Sequence, residues 1–142
     1  MKKLLLLLTF VCLLGCSSSD DNKTENSSST SINPPSWLIG TWANNYAGDT
    51  SSPIYKPLFR FKNNDFCVLS SSMEICQAEN IKNASQAGAK TSVKETATDK
   101  EYELSMTIQS LTTTYKFIKI SNTKIEYVNT SNGLPNTVLI KQ

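Results

Sequence analysis

Residues 34–45 read PPSWLIGTWANN and contain both tryptophans of the chain, Trp37 and Trp42, on either side of Gly40. The preceding residues are almost entirely polar, with Ile32 as their one sizeable apolar side chain, so they cannot bury enough surface to offset the entropy of ordering. Composition shifts at Trp37, and about 106 residues remain from there to Gln142, which is enough for one domain. We therefore predict that the folded domain covers residues 37–142.

Within this domain, apolar residues recur at every second position. Tyr102, Leu104, Met106 and Ile108 alternate with polar residues, which is typical of a strand with one buried face. Similar alternation surrounds Phe59 and Phe61, Ile125 and Tyr127, and Val138 and Ile140.

Turn residues separate these strands. Asn63-Asn64, Ser121-Asn122 and Asn132-Gly133 each lie between two apolar runs, and asparagine and glycine tolerate the positive φ of tight turns. Short strands joined by short turns predict an all-β fold, an antiparallel meander of eight or nine strands, and closure into a small barrel would remove its edges. Residues 79–100 are compatible with a short helix or a long polar strand, and we favour the strand.

The Gly40-Thr41-Trp42 stretch resembles the Gly-x-Trp signature that opens lipocalins and smaller bacterial lipocalin-like domains. The resemblance implies that a short helical turn plugs one barrel end, that Gly40 turns the chain into the first strand and that Trp42 packs inward as the floor. An arginine caps the tryptophan in that family; in this chain Lys141 is the nearest basic candidate and cannot stack in the same way. A large rigid side chain fills a tapering barrel end, and a glycine allows close backbone approach.

The amino terminus has a basic start, Lys2 and Lys3, and an apolar run from Leu4 to Leu14 that is too short to span a bilayer. The run ends in Leu-Leu-Gly-Cys, which resembles the lipobox of bacterial lipoproteins. This resemblance implies that residues 1–15 are a cleaved signal peptide and that Cys16 carries the lipid, including a fatty acyl group such as palmitate. An ordinary cleaved signal that happens to contain Gly-Cys is the alternative.

Residues 16–36 are predicted to be the lipidated cysteine and a disordered tether rich in Ser, Asn and Asp. Asp20-Asp21 resembles the acidic surface-export signal of some outer-membrane lipoproteins. We therefore expect a lipid-anchored protein of the outer membrane, displayed on the cell surface or facing the periplasm.

The charge balance bears on the class of partner, and the cysteine content bears on disulfide formation. Loss of Lys2 and Lys3 reduces 14 basic residues to 12, equal to the 12 acidic ones, so nothing favours a nucleic-acid partner. Cys67 and Cys76 then remain in an oxidising compartment, where a pair predicts a disulfide rather than free thiols.

Catalysis is not expected. The chain has no histidine, so imidazole acid–base chemistry and histidine metal ligands are absent, and we predict no metal and no cofactor. Glu101 and Glu103 could be a glycosidase pair, but they alternate with an apolar face and should point to water.

Two functions remain open, both for a protein that we expect to be a monomer. The first is a cup for a small apolar or lipid-like ligand, although the same side chains could simply fill a closed barrel. The second is an interaction module that binds an envelope protein or inhibits a hydrolase through loops 47–52 and 83–90. The predicted lining of the cup is Phe59, Phe61, Tyr102, Leu104, Met106, Tyr115, Phe117, Ile125 and Tyr127.

Overall fold

The computed structural model of the chain describes residues 26–29, 31–46, 51, 53–70, 72–130 and 133–142. A 3₁₀ turn covers Ser36–Leu38, and helix α1 covers Gln77–Gln86. The strands are β1 (Asn26–Ser29), β2 (Gly40–Asn45), β3 (Tyr55–Lys62), β4 (Asp65–Ser70), β5 (Met73–Cys76), β6 (Thr91–Ala97), β7 (Glu101–Ile108), β8 (Leu111–Lys119), β9 (Lys124–Val128) and β10 (Thr137–Lys141).

The ten strands form one antiparallel sheet in the order β1-β6-β7-β8-β9-β10-β2-β3-β4-β5. The last strand pairs with β2, since Ile140 lies opposite Ala43 and Lys141 lies opposite Trp42. The sheet therefore curls around a shared interior, and the predicted all-β meander barrel is confirmed, with nine strands, β2 to β10, inside residues 37–142. Asn63 and Asn64 form the predicted turn between β3 and β4.

In the described part of the chain no ladder joins β5 to β6, which leaves a gap in the sheet. Helix α1 connects these two strands and lies at the gap. It packs against β4, β5 and β6. The strand preferred for residues 79–100 is thus wrong for the part within α1 and right for β6. The helix is polar apart from the buried Ile81 and two alanines, so its sequence carries no clear helical period.

Side chains from β2, β3, β4 and β6 to β10 point into the interior. The alternation predicts the inward residues of β7 and of the end of β3, but it is wrong for β10, where Leu139 is buried and Val138 is 49% exposed. The buried core consists of Ile32, Leu38, Trp42, Phe59, Phe61, Phe66, Ile81, Val93, Tyr102, Leu104, Met106, Phe117, Ile125 and Leu139.

Ordered structure begins before Trp37, which corrects the predicted tether of residues 16–36 at its carboxyl end. Strand β1 pairs with β6, and Ile32 and Pro34 are buried. Ile32 was expected to be too isolated to fold, but it is fully buried and belongs to the hydrophobic core. Residues 1–25, which include the predicted signal peptide and Asp20-Asp21, lie outside the described residues. No helix in the described ranges has the length and apolar character needed to cross a bilayer.

Candidate functional site

The barrel end at which β2 begins, called the closed end below, is built around Trp42. The Trp42 side chain has no exposed surface, and its Nε1 donates a hydrogen bond of 2.7 Å to the carbonyl oxygen of Leu38 in the 3₁₀ turn. Nζ of Lys141 lies 5.4 Å from the centroid of the Trp42 ring, within cation–π range. Lys141 therefore places its ammonium group over the Trp42 ring.

Gly40 has a φ of 132°, a backbone conformation that residues with a Cβ rarely adopt. A Cβ at this position would lie 2.8 Å from Cε of Lys141. Gly40 thus lets β2 begin directly beside the lysine that covers Trp42.

Trp37 lies half-buried at the rim of the same end. Its Nε1 donates a hydrogen bond of 3.0 Å to the carbonyl oxygen of Thr98, in the connection between β6 and β7. Nζ of Lys119 lies 6.0 Å from its ring centroid. The two tryptophans therefore fix the 3₁₀ turn to opposite parts of the sheet.

The predicted cup residues are brought together, but their rings pack against one another. The ring centroids of Phe59 and Phe117 are 5.3 Å apart, those of Phe61 and Phe117 are 5.1 Å apart, and those of Phe66 and Tyr115 are 4.8 Å apart. These separations are typical of stacked and edge-to-face aromatic pairs. The middle of the barrel is consequently filled by the side chains that the sequence assigns to a ligand, including Phe59, Phe61, Tyr102, Phe117 and Tyr127.

A cavity of about 140 Å³ remains towards the opposite end of the barrel, called the open end below. It lies between α1 and the β7–β8 hairpin. Its lining is Gln77, Asn80, Ile81, Met106, Ile108, Leu111, Thr113 and Tyr115. Of the predicted ligand residues, only Met106 and Tyr115 reach it.

Sequence reasoning missed the contribution of α1 to this cavity. Gln77 and Asn80 lie in a polar segment that gave no signal for an inward face, and Ile81 is its only large apolar residue. The structure brings them to the cavity because α1 is fixed at its start. Oδ1 of Asp65 accepts the backbone N–H of Ala78 at 2.9 Å, and Cys76 immediately precedes the helix.

Cys67 and Cys76 lie opposite each other on β4 and β5, and their sulfur atoms are bonded. Asp65 is near both sulfurs, a grouping that could suggest a metal site. Neither sulfur is available as a thiolate ligand while the disulfide is intact, and Asp65 already accepts the backbone N–H groups of Phe66 and Ala78. This group of side chains therefore fixes α1 to the sheet.

No side chain that lines the cavity carries a charge at neutral pH. Burial raises the pKa of the Tyr115 hydroxyl, with a smaller contribution from Tyr127, so Tyr115 stays protonated and can donate a hydrogen bond. Gln77 and Asn80 offer further amide groups. An ionised ligand group would lose its hydration in this cavity without gaining a counter-charge, so the cavity favours neutral groups.

The rim of the open end is apolar. Nine large hydrophobic side chains are exposed among the described residues, and six of them lie in loops or strand ends at this end. These six are Tyr46, Ile54, Tyr55, Met73, Leu111 and Leu134. Of the two loops predicted to bind a partner, 47–52 lies outside the described residues apart from Ser51, and 83–90 covers the end of α1 and the connection to β6.

The two carboxylates considered as a glycosidase pair, and Glu74, lie in solvated positions. Glu101 and Glu103 are exposed on β7, and Glu101 Oε2 lies 3.4 Å from Nζ of Lys116. Glu74 pairs with Lys62 at 2.9 Å and with Arg60 at 2.7 Å, and the hydrogen bond from Lys62 lowers the pKa of the Glu74 carboxyl. These are surface ion pairs of the kind that contribute little to stability.

Cys16, the predicted lipidation residue, lies outside the described residues. Comparison of the chain with protein-family models, with curated proteins and with solved structures found no match.

Proposed function

We propose that this protein is a membrane-anchored, non-catalytic binding module that takes one small neutral apolar group at the open end of a lipocalin-like barrel. The observation that carries the proposal is the uncharged cavity of about 140 Å³ between α1 and the β7–β8 hairpin, in a barrel whose middle is filled. The Gly-Cys sequence at Cys16 supports the lipid anchor, which would hold the barrel at the outer membrane.

The size of the cavity limits what it can hold. Pockets for drug-sized ligands measure about 300–1,000 Å³, whereas a cavity of about 150 Å³ lined by aliphatic and aromatic side chains accepts benzene. The cavity therefore fits one ring or a short branched chain. Such a group could be a whole small molecule or the end of a longer lipid.

Benzyl alcohol is a suitable probe because it combines a phenyl ring with one neutral polar group. Burying a ring of about 150 Å² at about 25 cal/mol/Å² gives about 4 kcal/mol, which corresponds to a millimolar Kd. Benzoate has a similar size but a charge, and we expect it to bind at least about tenfold more weakly. Both are titrated by ligand-observed NMR.

A blocking variant and a matched control assign the binding to the cavity. Thr113→Phe places a ring at the mouth and should abolish binding of benzyl alcohol. Thr112→Phe adds the same ring at the neighbouring exposed position, outside the cavity lining, and should leave binding unchanged. Equal binding by both variants, or no binding by the unmodified protein, would exclude the cavity as the site.

A second candidate function follows from the six exposed apolar side chains at the open end: a protein partner could cover this rim and insert one side chain into the cavity. Native mass spectrometry of the full chain from its own host distinguishes the two. A bound small molecule supports the first function, and a bound polypeptide supports the second. The anchor is tested separately, because Cys16→Ser should move the protein out of the membrane fraction.

A further inference from the structure

A buried carboxylate lies at the gap between β6 and α1. It is on the inward face of β6, where the alternation of buried and exposed residues predicts an apolar side chain. Glu95 is only 9% exposed, and it shares the inward face of β6 with Val93. A buried carboxylate is costly unless hydrogen bonds satisfy it. Its partners should therefore indicate what it holds in place.

Two donors converge on Oε1 of Glu95. The hydroxyl of Tyr102 donates to it at 2.5 Å, and the backbone N–H of Asn33 donates to it at 2.8 Å. Tyr102 belongs to the neighbouring strand β7, whereas Asn33 belongs to the segment that precedes the barrel. Glu95 thus joins that segment to the sheet across 62 residues of sequence.

Residues 31–34, which we call the strap, lie between β1 and the 3₁₀ turn. Ile32 is fully buried beside the core and Pro34 is buried, while Ser31 and Asn33 are exposed. Among the described residues, strand β1, just before the strap, pairs with β6 alone, and its register shifts between Ser27 and Ser29. The nine strands β2 to β10 are linked to one another without any contribution from the strap.

We propose that the strap is a releasable latch, held by the carboxylate of Glu95 and the apolar site of Ile32, that sets the length of chain between the membrane anchor and the barrel. Release would free residues 26–34 and uncover the edge of β6 as well as the site of Ile32. Nine extra residues extend by at most about 3.6 Å each, so the barrel could move roughly 30 Å further from its anchor. The role of the latch rests on the membrane anchor of the proposed function, whereas its opening is independent both of that anchor and of the cavity at the open end.

Amide hydrogen exchange tests the latch directly, because the Asn33 N–H is itself one of the two donors. In the unmodified full chain in detergent micelles, we expect the Asn33 amide to exchange at least about tenfold more slowly than in an unstructured peptide but at least about tenfold faster than the Leu104 amide within β7. Such a pattern of exchange rates means that the strap detaches while the barrel stays folded. Exchange of Asn33 at the peptide rate, or at the same rate as Leu104, would overturn the proposal.

Glu95→Gln keeps the shape of the side chain but replaces a charged acceptor by a neutral one. We expect the Asn33 amide to exchange about tenfold faster in this variant, with Leu104 changed by less than about twofold. Glu103→Gln makes the same change at an exposed position on β7 and should alter neither rate. Equal acceleration of Asn33 and Leu104 would show that Glu95 stabilises the whole barrel and would refute the latch.

Ile32→Ala provides a second variant that leaves the buried carboxylate untouched. It should produce a new protease cleavage site within residues 26–34 while the barrel remains resistant. Cleavage within the barrel at the same rate would again contradict a separate latch.

Discussion

The packing of Gly40 against Lys141 leads to a quantitative prediction for Gly40→Ala. With φ at 132°, an alanine would be held in a sparsely populated backbone region at a cost of about 1–3 kcal/mol. Its Cβ would also displace Lys141, whose Cε lies 2.8 Å away, and so disturb the contact between Nζ and Trp42. An exposed cation–π contact contributes about 0.5–1 kcal/mol. We therefore expect a total loss of about 1.5–4 kcal/mol.

Urea unfolding followed by tryptophan fluorescence measures this loss, since both tryptophans lie at the closed end. For a domain of this size, the predicted change lowers the urea midpoint by about 1–2 M. Gly88→Ala is a matched control, because Gly88 has a φ of 84° but a Cβ there would meet nothing within 4 Å. It should cost only the backbone strain, about 1–2 kcal/mol.

A double-mutant cycle separates backbone strain from the collision. Lys141→Ala removes the atom that the new Cβ would meet, so Gly40→Ala should cost about 0.5–1 kcal/mol less in that background. If Gly40→Ala costs no more than Gly88→Ala and the cycle shows no coupling, then the contact with Lys141 is not what requires a glycine at position 40.

Three further predictions concern the disulfide, the start of α1 and the buried tyrosine. Replacing Cys67 and Cys76 together by serine should lower the free energy of unfolding by about 2–3 kcal/mol in urea unfolding, because the bond closes a loop with a sequence separation of 9; an unchanged midpoint under oxidising conditions would argue against a formed bond. Asp65→Ala should cost about 0.5–2 kcal/mol by leaving the Ala78 N–H without its acceptor, and circular dichroism should show a loss of helix, whereas Asp65→Asn should be milder. Burial raises the pKa of Tyr102 well above its ordinary value of 10.0, so the stability that the neutral hydroxyl contributes is fully present below about pH 10 and is lost as the pH rises above it. Unfolding free energies measured from pH 8 to 11 should fall above pH 10, and an equally steep fall in Tyr102→Phe would assign the effect to other groups.

The strands and turns of the sheet could be predicted from the sequence because the patterns that indicate them are local. Alternation along a strand depends only on neighbouring residues, so Tyr102, Leu104 and Met106 identified β7, and Asn63-Asn64 identified the turn after β3. The pairing of Cys67 with Cys76 could also be predicted without the tertiary structure. Only two cysteines remain once Cys12 of the predicted signal peptide and Cys16, the predicted lipidation residue, are set aside.

Tertiary structure decided the features that depend on distant parts of the chain. Ile32 is one apolar residue in a polar segment, and it is buried only because the gap beside β6 accommodates it. Helix α1 has no clear apolar period and is fixed by Asp65 and by the disulfide at Cys76. Glu95 breaks the alternation of β6, and its inward position is acceptable only because Asn33 and Tyr102 supply donors from other elements. Periodicity in a single sequence cannot reveal such sites, because the groups that create them come together only when the sheet curls.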